Sequence, residues 1–156
     1  MASMIEVVKQ FFEEEDWRFV ELEEHLLRTG FQGNNGRWSV YVQTYEEHDI
    51  LLSYCICPVN CPEDRRLEMS SFFTRANYGM RLGNFEMDFA DGELRFKVSL
   101  DVEGEALTVN LVRNAIVVNC RTADRYLPGM MALIYGGADA EQAIAIVEGD
   151  DDGPAH

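Results

Sequence analysis

Apolar and polar residues alternate strictly between Phe85 and Leu100. Phe85, Met87 and Phe89 fall on one face before Asp91-Gly92, and Leu94, Phe96, Val98 and Leu100 continue that face after it. Period two predicts two strands, each with one buried and one wet side. Asp-Gly suits a two-residue type I′ turn, in which both central residues take positive φ. Such a turn sets Phe89 opposite Leu94, Met87 opposite Phe96 and Phe85 opposite Val98. On the wet side it pairs Asp88 with Arg95 and Glu86 with Lys97. Upstream, Trp38, Val40, Val42 and Thr44 alternate with polar residues after the turn Gly33-Asn34-Asn35-Gly36. Ile50 to Cys57 is more uniformly apolar, as expected of a central strand. The segment from Trp17 to Gln32 is weaker: WRFVELEE alternates faintly, and HLLRTGF reads as a half-buried strand with His25 in it.

Helical spacing frames these strands. Ser3 and Glu6 form a capping box ahead of Ile5, Val8, Phe11 and Phe12. The acidic run Glu13 to Asp16 opposes the dipole at a helix C-terminus and predicts an end near Glu14. Pro62, with Glu63 and Asp64, opens a second helix whose apolar stripe is Met69, Phe72, Phe73, Ala76 and Met80. Gly79 and Gly83 end it. After the connection Glu103-Gly104-Glu105, Leu107, Leu111, Asn114, Ile116, Val117 and Cys120 begin a long helical region. Pro128 predicts a kink or a restart there, and Leu127, Met130, Met131, Leu133 and Ile134 carry the pattern on. Ala138 to Glu148 reads as a short last helix. The order α-β-β-β-α-β-β-α-α predicts an α+β fold, an antiparallel sheet of about five strands with helices on one face. Residues 1–149 form one domain in this reading, and 150–156 an acidic, disordered tail.

Charge and cysteines narrow the function. The net charge of −15 repels nucleic acid and anionic membranes, so neither is expected as a partner. The acidity reads as a solvated surface, with a basic protein partner as the sharper alternative. No apolar run is long enough to span a bilayer. The N-terminus lacks a basic segment and a signal core, which predicts a cytoplasmic protein. Cys55, Cys57 and Cys61 cluster and Cys120 stands apart. Their spacing fits structural zinc poorly, so small buried thiols without metal or disulfide are expected.

Catalytic motifs are missing from the sequence. The three histidines, His25, His48 and His156, form no ligand pair at helical spacing. There is no nucleophile elbow, phosphate-binding loop or dinucleotide glycine pattern. Carboxylates are plentiful, and sequence alone leaves acid–base pairing among them open. No enzyme activity, cofactor or metal is expected. Arg75, Asn77, Tyr78 and Arg81 form the most suggestive polar cluster. They read first as a helix end tied to the following hairpin, and second as a ligand or interaction site. Met130 and Met131 read first as core, and second as an adaptable contact surface.

The run RANYGMRLGNFEMDFADGELRF, followed by DRYLPGMMALIYGG and EQAI, resembles the YbjN family, and more closely its cyanobacterial branch. The likeness spans about Phe11 to Glu148 and rests on Asn77, Gly83-Asn84-Phe85, Asp91-Gly92 and Asp124 to Gly129 in fixed order. It implies a bacterial sensory transduction regulator with a fold similar to type III secretion chaperones, a small α+β domain that is often dimeric and binds other proteins. It implies no active site. Two functions follow as expectations. One is a homodimeric regulatory or chaperone-like protein with an unknown protein partner. The other is a small-ligand sensor with a pocket between sheet and helices.

Overall fold

The computed structural model describes residues 2–149. The predicted tail 150–156, with His156, lies outside the described residues. Helix α1 (Met4–Glu14) opens on the Ser3/Glu6 capping box and buries Met4, Ile5, Val8, Phe11 and Phe12. Four antiparallel strands follow: β1 (Val20–Glu23), β2 (Leu26–Gln32), β3 (Arg37–Tyr45) and β4 (Ile50–Ile56). A 3₁₀ turn (Glu63–Arg65) leads into α2 (Arg66–Asn77), then β5 (Asn84–Met87), β6 (Leu94–Asp101), α3 (Val109–Tyr135) and α4 (Ala140–Glu148). The sheet has six strands in the order β1-β2-β3-β4-β6-β5. The count of about five is thus corrected by β1, a short edge strand with every residue exposed. One-sided burial, the signal that marks a strand in sequence, is absent there. His25 sits in the turn between β1 and β2 rather than in a strand.

The helices cover one side of the sheet. Trp38, Val40 and Val42 of β3, Leu51 and Cys55 of β4, and Leu94, Phe96 and Val98 of β6 point into one core with α1, α2 and α3. On the opposite side Tyr41 of β3 stacks on Tyr54 of β4, ring centroids 5.2 Å apart. Arg95 of β6 lies over the Tyr54 ring at 4.8 Å. The acidic run after α1 is anchored: Arg113 of α3 reaches Glu15 at 3.1 Å and Glu14 at 3.8 Å.

The β5–β6 hairpin departs from its expected register by two residues. Met87 faces Leu94, Phe85 faces Phe96 and Glu86 faces Arg95. A shift of two leaves every side chain on its original face, so the apolar pattern alone could not separate the two registers. The connection decides between them. It runs from Asp88 to Glu93, and only Gly92 has positive φ, whereas type I′ needs it at both central residues. The Asp88 and Asp91 side chains accept from the Ala90 and Glu93 amides at 2.8 and 2.9 Å. The loop docks on the segment before α2: Cys61 N–H donates to the Gly92 carbonyl at 2.8 Å and Arg66 Nη1 to the Phe89 carbonyl at 3.0 Å. Phe89, expected in the core, is exposed.

Asp88 consequently does not pair with Arg95. Glu86 takes both cations instead, bonding Arg95 Nε and Lys97 Nζ, the latter at 3.1 Å. Partial burial pushes the Glu86 pKa up, but the bonds from Arg95 and Lys97 outweigh it and the net shift is downward. A lowered carboxylate pKa adds stability above the ordinary carboxylate range, and that stability is lost as pH falls through the folded-state value. Glu86→Gln should therefore cost under about 1 kcal/mol at neutral pH, since the pair is half-exposed and screened. Urea titrations should show the two proteins converging in acid. An undiminished gap well below the ordinary carboxylate range, at a pH where Glu86 itself is protonated, would mean that packing rather than charge is responsible.

Helix α3 also differs from its sequence pattern. It starts at Val109, capped by the Thr108 side chain, and runs unbroken through Pro128. Its core-facing stripe is Val112, Ala115, Ile116, Asn119 and Cys120, while Asn114 is exposed and Val117 half-buried. Small Ala115 and polar Asn119 occupy buried positions, which rotates the true stripe away from the most apolar one. Asn119 is fully buried because Nδ2 donates to the Ser53 carbonyl of β4 at 2.6 Å and to its hydroxyl at 3.1 Å.

Candidate functional site

The polar cluster at the end of α2 is dispersed by the fold into different roles. Asn77 Nδ2 donates to the Phe85 carbonyl at 3.0 Å, and its Oδ1 accepts from the Phe85 amide at 2.7 Å. One side chain thus replaces a strand partner for β5 and welds the helix end to the sheet edge. Gly79 and Gly83, at φ +86° and +77°, supply the reversal between them. Arg75 Nε donates to the Ser71 hydroxyl at 3.3 Å, and its Nη2 reaches Glu141 of α4 at 3.4 Å. Arg81 is exposed, and Tyr78 is 90% exposed. Met130 is buried in the core, and Met131 packs half-buried against it.

Tyr78 belongs to a larger apolar margin. Leu67 on α2 is 81% exposed, and Leu82 and Phe89 on the loops flanking β5 are also exposed. The Arg66–Phe89 bond ties the start of α2 to the β5–β6 loop, so this margin runs along α2 and β5. Strand β5 pairs with β6 alone, which leaves its outer edge without a strand partner. Asn77 already takes the Phe85 backbone groups on that edge, so the exposed apolar side chains are the feature of this margin that partner-binding surfaces use.

Asp124 is a buried acid that the sequence did not single out by itself. Its carboxylate accepts from the Asn34 amide at 2.8 Å and the Asn35 amide at 3.1 Å, with Trp38 Nε1 at 3.4 Å. Those amides lie in the Gly33–Gly36 turn of the β2–β3 hairpin. Pro128 completes the arrangement. A residue at that position would donate its N–H to the Asp124 carbonyl four residues back, and proline has none to give. Asn35 Nδ2 donates to that carbonyl instead, at 2.9 Å. The proline is therefore accommodated without breaking α3, and the freed carbonyl becomes a docking point for the hairpin. The signal in sequence was the pair GNNG and DRYLP, but only their spatial meeting explains it.

The thiols are buried. Cys55 of β4 and Cys120 of α3 lie with their sulfurs 3.9 Å apart. Burial raises the Cys55 pKa well above that of an ordinary thiol, and Cys120 adds to the shift. Burial likewise pushes Cys57 up to about 11. A thiol so raised is a poor nucleophile at neutral pH. Among the described residues no three His, Cys, Asp or Glu side chains gather as a metal-ligand set, and no helix is long and apolar enough to cross a membrane.

The sequence profile described as "YbjN: Putative bacterial sensory transduction regulator" matches residues 5–132. The chain belongs to the YbjN family. No curated protein matches the sequence. The crystal structure of YbjN from E. coli, a "putative transcription regulator", superposes with a TM-score of 0.55 at 11% identity, covering 93% of this chain and 88% of that one. The ExsC–ExsE complex matches with a TM-score of 0.52 at 14% identity, over 78% and 88% of the two chains. The HopA1–SchA chaperone–effector complex gives 0.51 at 11% identity, over 77% and 88%. The α+β fold of this YbjN-family chain is thus shared with chaperones of the type III secretion class, as the resemblance implied.

Proposed function

We propose that this YbjN-family chain is a non-enzymatic regulatory or chaperone-like protein that acts by binding another protein, and that it is a homodimer. The observation that carries the reading is the common fold of the chain and two proteins solved in complex with a protein, ExsC with ExsE and SchA with HopA1. The apolar margin of Leu67, Tyr78, Leu82 and Phe89 supports it locally, as a set of exposed large side chains beside the sheet edge that no further strand covers. Tyr78 is the anchor in this reading: large, amphipathic and almost fully out of its own fold. Arg81 lies beside it as a rim contact. Asn77 holds the end of α2 against β5, Arg75 links α2 to α4, and Met130 and Met131 belong to the core or pack against it.

The test is oligomeric state. Light scattering on the wild type should give a dimer, and Tyr78→Glu with Leu82→Glu should give a folded monomer with unchanged circular dichroism. Met131→Asp, at a half-buried position, should cost stability without being needed for dissociation. A wild type that stays monomeric at every concentration, recovers no protein from lysate and binds a metabolite between sheet and helices would overturn this reading in favour of a ligand sensor.

A further inference from the structure

Most arginines of this acidic chain are engaged. Arg65 and Arg66 bond backbone carbonyls, Arg75, Arg95 and Arg113 meet carboxylates, and Arg81 and Arg125 also have partners. Arg18, Arg28 and Arg37 have no hydrogen-bond or ion-pair partner for their guanidinium groups among the described residues, and all three line one groove of about 720 Å³. No carboxylate lines that groove. Among the described residues the remaining arginine without such a partner is Arg121, which is exposed on α3 and does not line the groove.

Strand register explains why the three converge. Gly30 of β2 faces Ser39 of β3, and Val20 of β1 faces Arg28. Arg28 lies two residues before Gly30, and Arg37 two residues before Ser39. In antiparallel strands they therefore stand at opposite corners of the Gly30–Ser39 pair, on the helix-free side of the sheet. Arg18 enters from the segment before β1, held where the Thr29 hydroxyl donates to its carbonyl at 2.5 Å. Gly30 leaves the floor open: a Cβ there would lie 3.5 Å from Arg37 Nη2. The Trp17 indole N–H fixes the same floor through the Gly30 carbonyl at 3.0 Å.

Three like charges in one concavity repel unless an anion joins them. Guanidinium groups offer paired donors that match phosphate oxygens bidentately. The volume lies in the range of small-molecule sites, ~300–1,000 Å³. We propose that the Arg18–Arg28–Arg37 groove binds a small phosphate-bearing ligand. The site is local and cationic in a chain whose net charge is −15. It lies on strands β1–β3, apart from the α2–β5 margin, and does not depend on the protein-binding reading.

Titration of the full-length protein with inorganic pyrophosphate at a fixed ionic strength of ~0.15 M, where long-range attraction is screened, tests this. Amide shifts in β1–β3 should saturate at one ligand per chain. Arg28→Ala and Arg37→Ala should each weaken binding by about tenfold or more, as loss of a charge-assisted bidentate contact does. Arg121→Ala should leave affinity unchanged. Gly30→Leu should block the groove while keeping all three arginines and the fold. Non-saturating shifts, or equal losses from Arg121→Ala, would overturn the proposal as general charge attraction. Phosphatidylcholine vesicles carrying a phosphoinositide provide the second arm. Co-sedimentation that needs Arg28, without pyrophosphate binding, would overturn a free ligand in favour of a headgroup. Binding of polyglutamate without pyrophosphate would overturn it in favour of an acidic protein segment.

Discussion

Asp124→Ala should be the most damaging single substitution of a polar residue in this protein, costing about 2–4 kcal/mol, since each bond to a carboxylate contributes ~1.5–3 kcal/mol and some of the donors regain water. The carboxylate holds two amides of the β2–β3 turn and approaches the buried Trp38 indole. Its removal leaves the indole N–H without an acceptor inside the core. Asp124→Asn should recover only part of the loss, because one oxygen still accepts while the new NH₂ opposes donors. Denaturant unfolding monitored by tryptophan fluorescence gives both values. Gly33→Ala offers an independent check. A Cβ at Gly33 would sit 2.2 Å from the Asp124 Cγ, so the turn must lift off the helix. If the damage is this collision, Gly33→Ala should cost far less in the Asp124→Ala background than in the wild type. Additive losses, or an Asp124→Ala cost below about 0.5 kcal/mol, the range of ordinary surface changes, would mean that the turn holds itself without α3.

The same clamp shows what could be read from the sequence and what could not. The capping box of α1, the Gly33–Gly36 turn, the alternation of β3 and the stripe Met69, Phe72, Phe73 and Ala76 are all local patterns, and the structure has them. Met80, predicted in that stripe, lies beyond the end of α2 and packs half-buried against the core. Each pattern depends on residues a few positions apart, where chain geometry alone dictates which side chains share a face. The Asp124 contacts join residues ~90 positions apart, and no periodicity encodes them. Pro128 illustrates the point most directly. Local chemistry predicts a kink or a restart at Pro128; α3 does not restart there, and Asn35 supplies the donor that proline lacks. Strand β1 escaped for the opposite reason: its Val20/Leu22 alternation spans only four residues, and neither face of it is buried. The arginine groove was equally hidden. Arg18, Arg28 and Arg37 lie on three different segments, and only antiparallel pairing brings them around Gly30. Of the polar cluster at the end of α2, the reading that ties helix to hairpin describes Asn77, whose side chain bonds both backbone groups of Phe85.

Gly92→Ala should cost about 3 kcal/mol or more, while Gly104→Ala should cost only about 1–2 kcal/mol, the strain of a left-handed L-residue. The two glycines have nearly the same φ, +81° and +82°. A side chain at Gly104 meets nothing within 4 Å, so that substitution measures conformational strain alone. At Gly92 a Cβ would lie 2.1 Å from the Cys61 carbonyl oxygen. That neighbour is backbone, and cannot rotate away. The loop must separate from the segment before α2, and the bond from Cys61 N–H to the Gly92 carbonyl is lost with it. A freely exposed two-residue type I′ turn would behave otherwise, since its glycine faces solvent and its replacement costs strain only. The difference between the two substitutions therefore isolates tertiary docking of the Asp88–Glu93 loop. Equal costs by urea unfolding would restore the solvent-facing turn and the register that places Phe89 opposite Leu94. A gap of more than about 1 kcal/mol, the worth of a backbone hydrogen bond, establishes that this hairpin takes its register from Cys61 and Arg66 as well as from its own alternation.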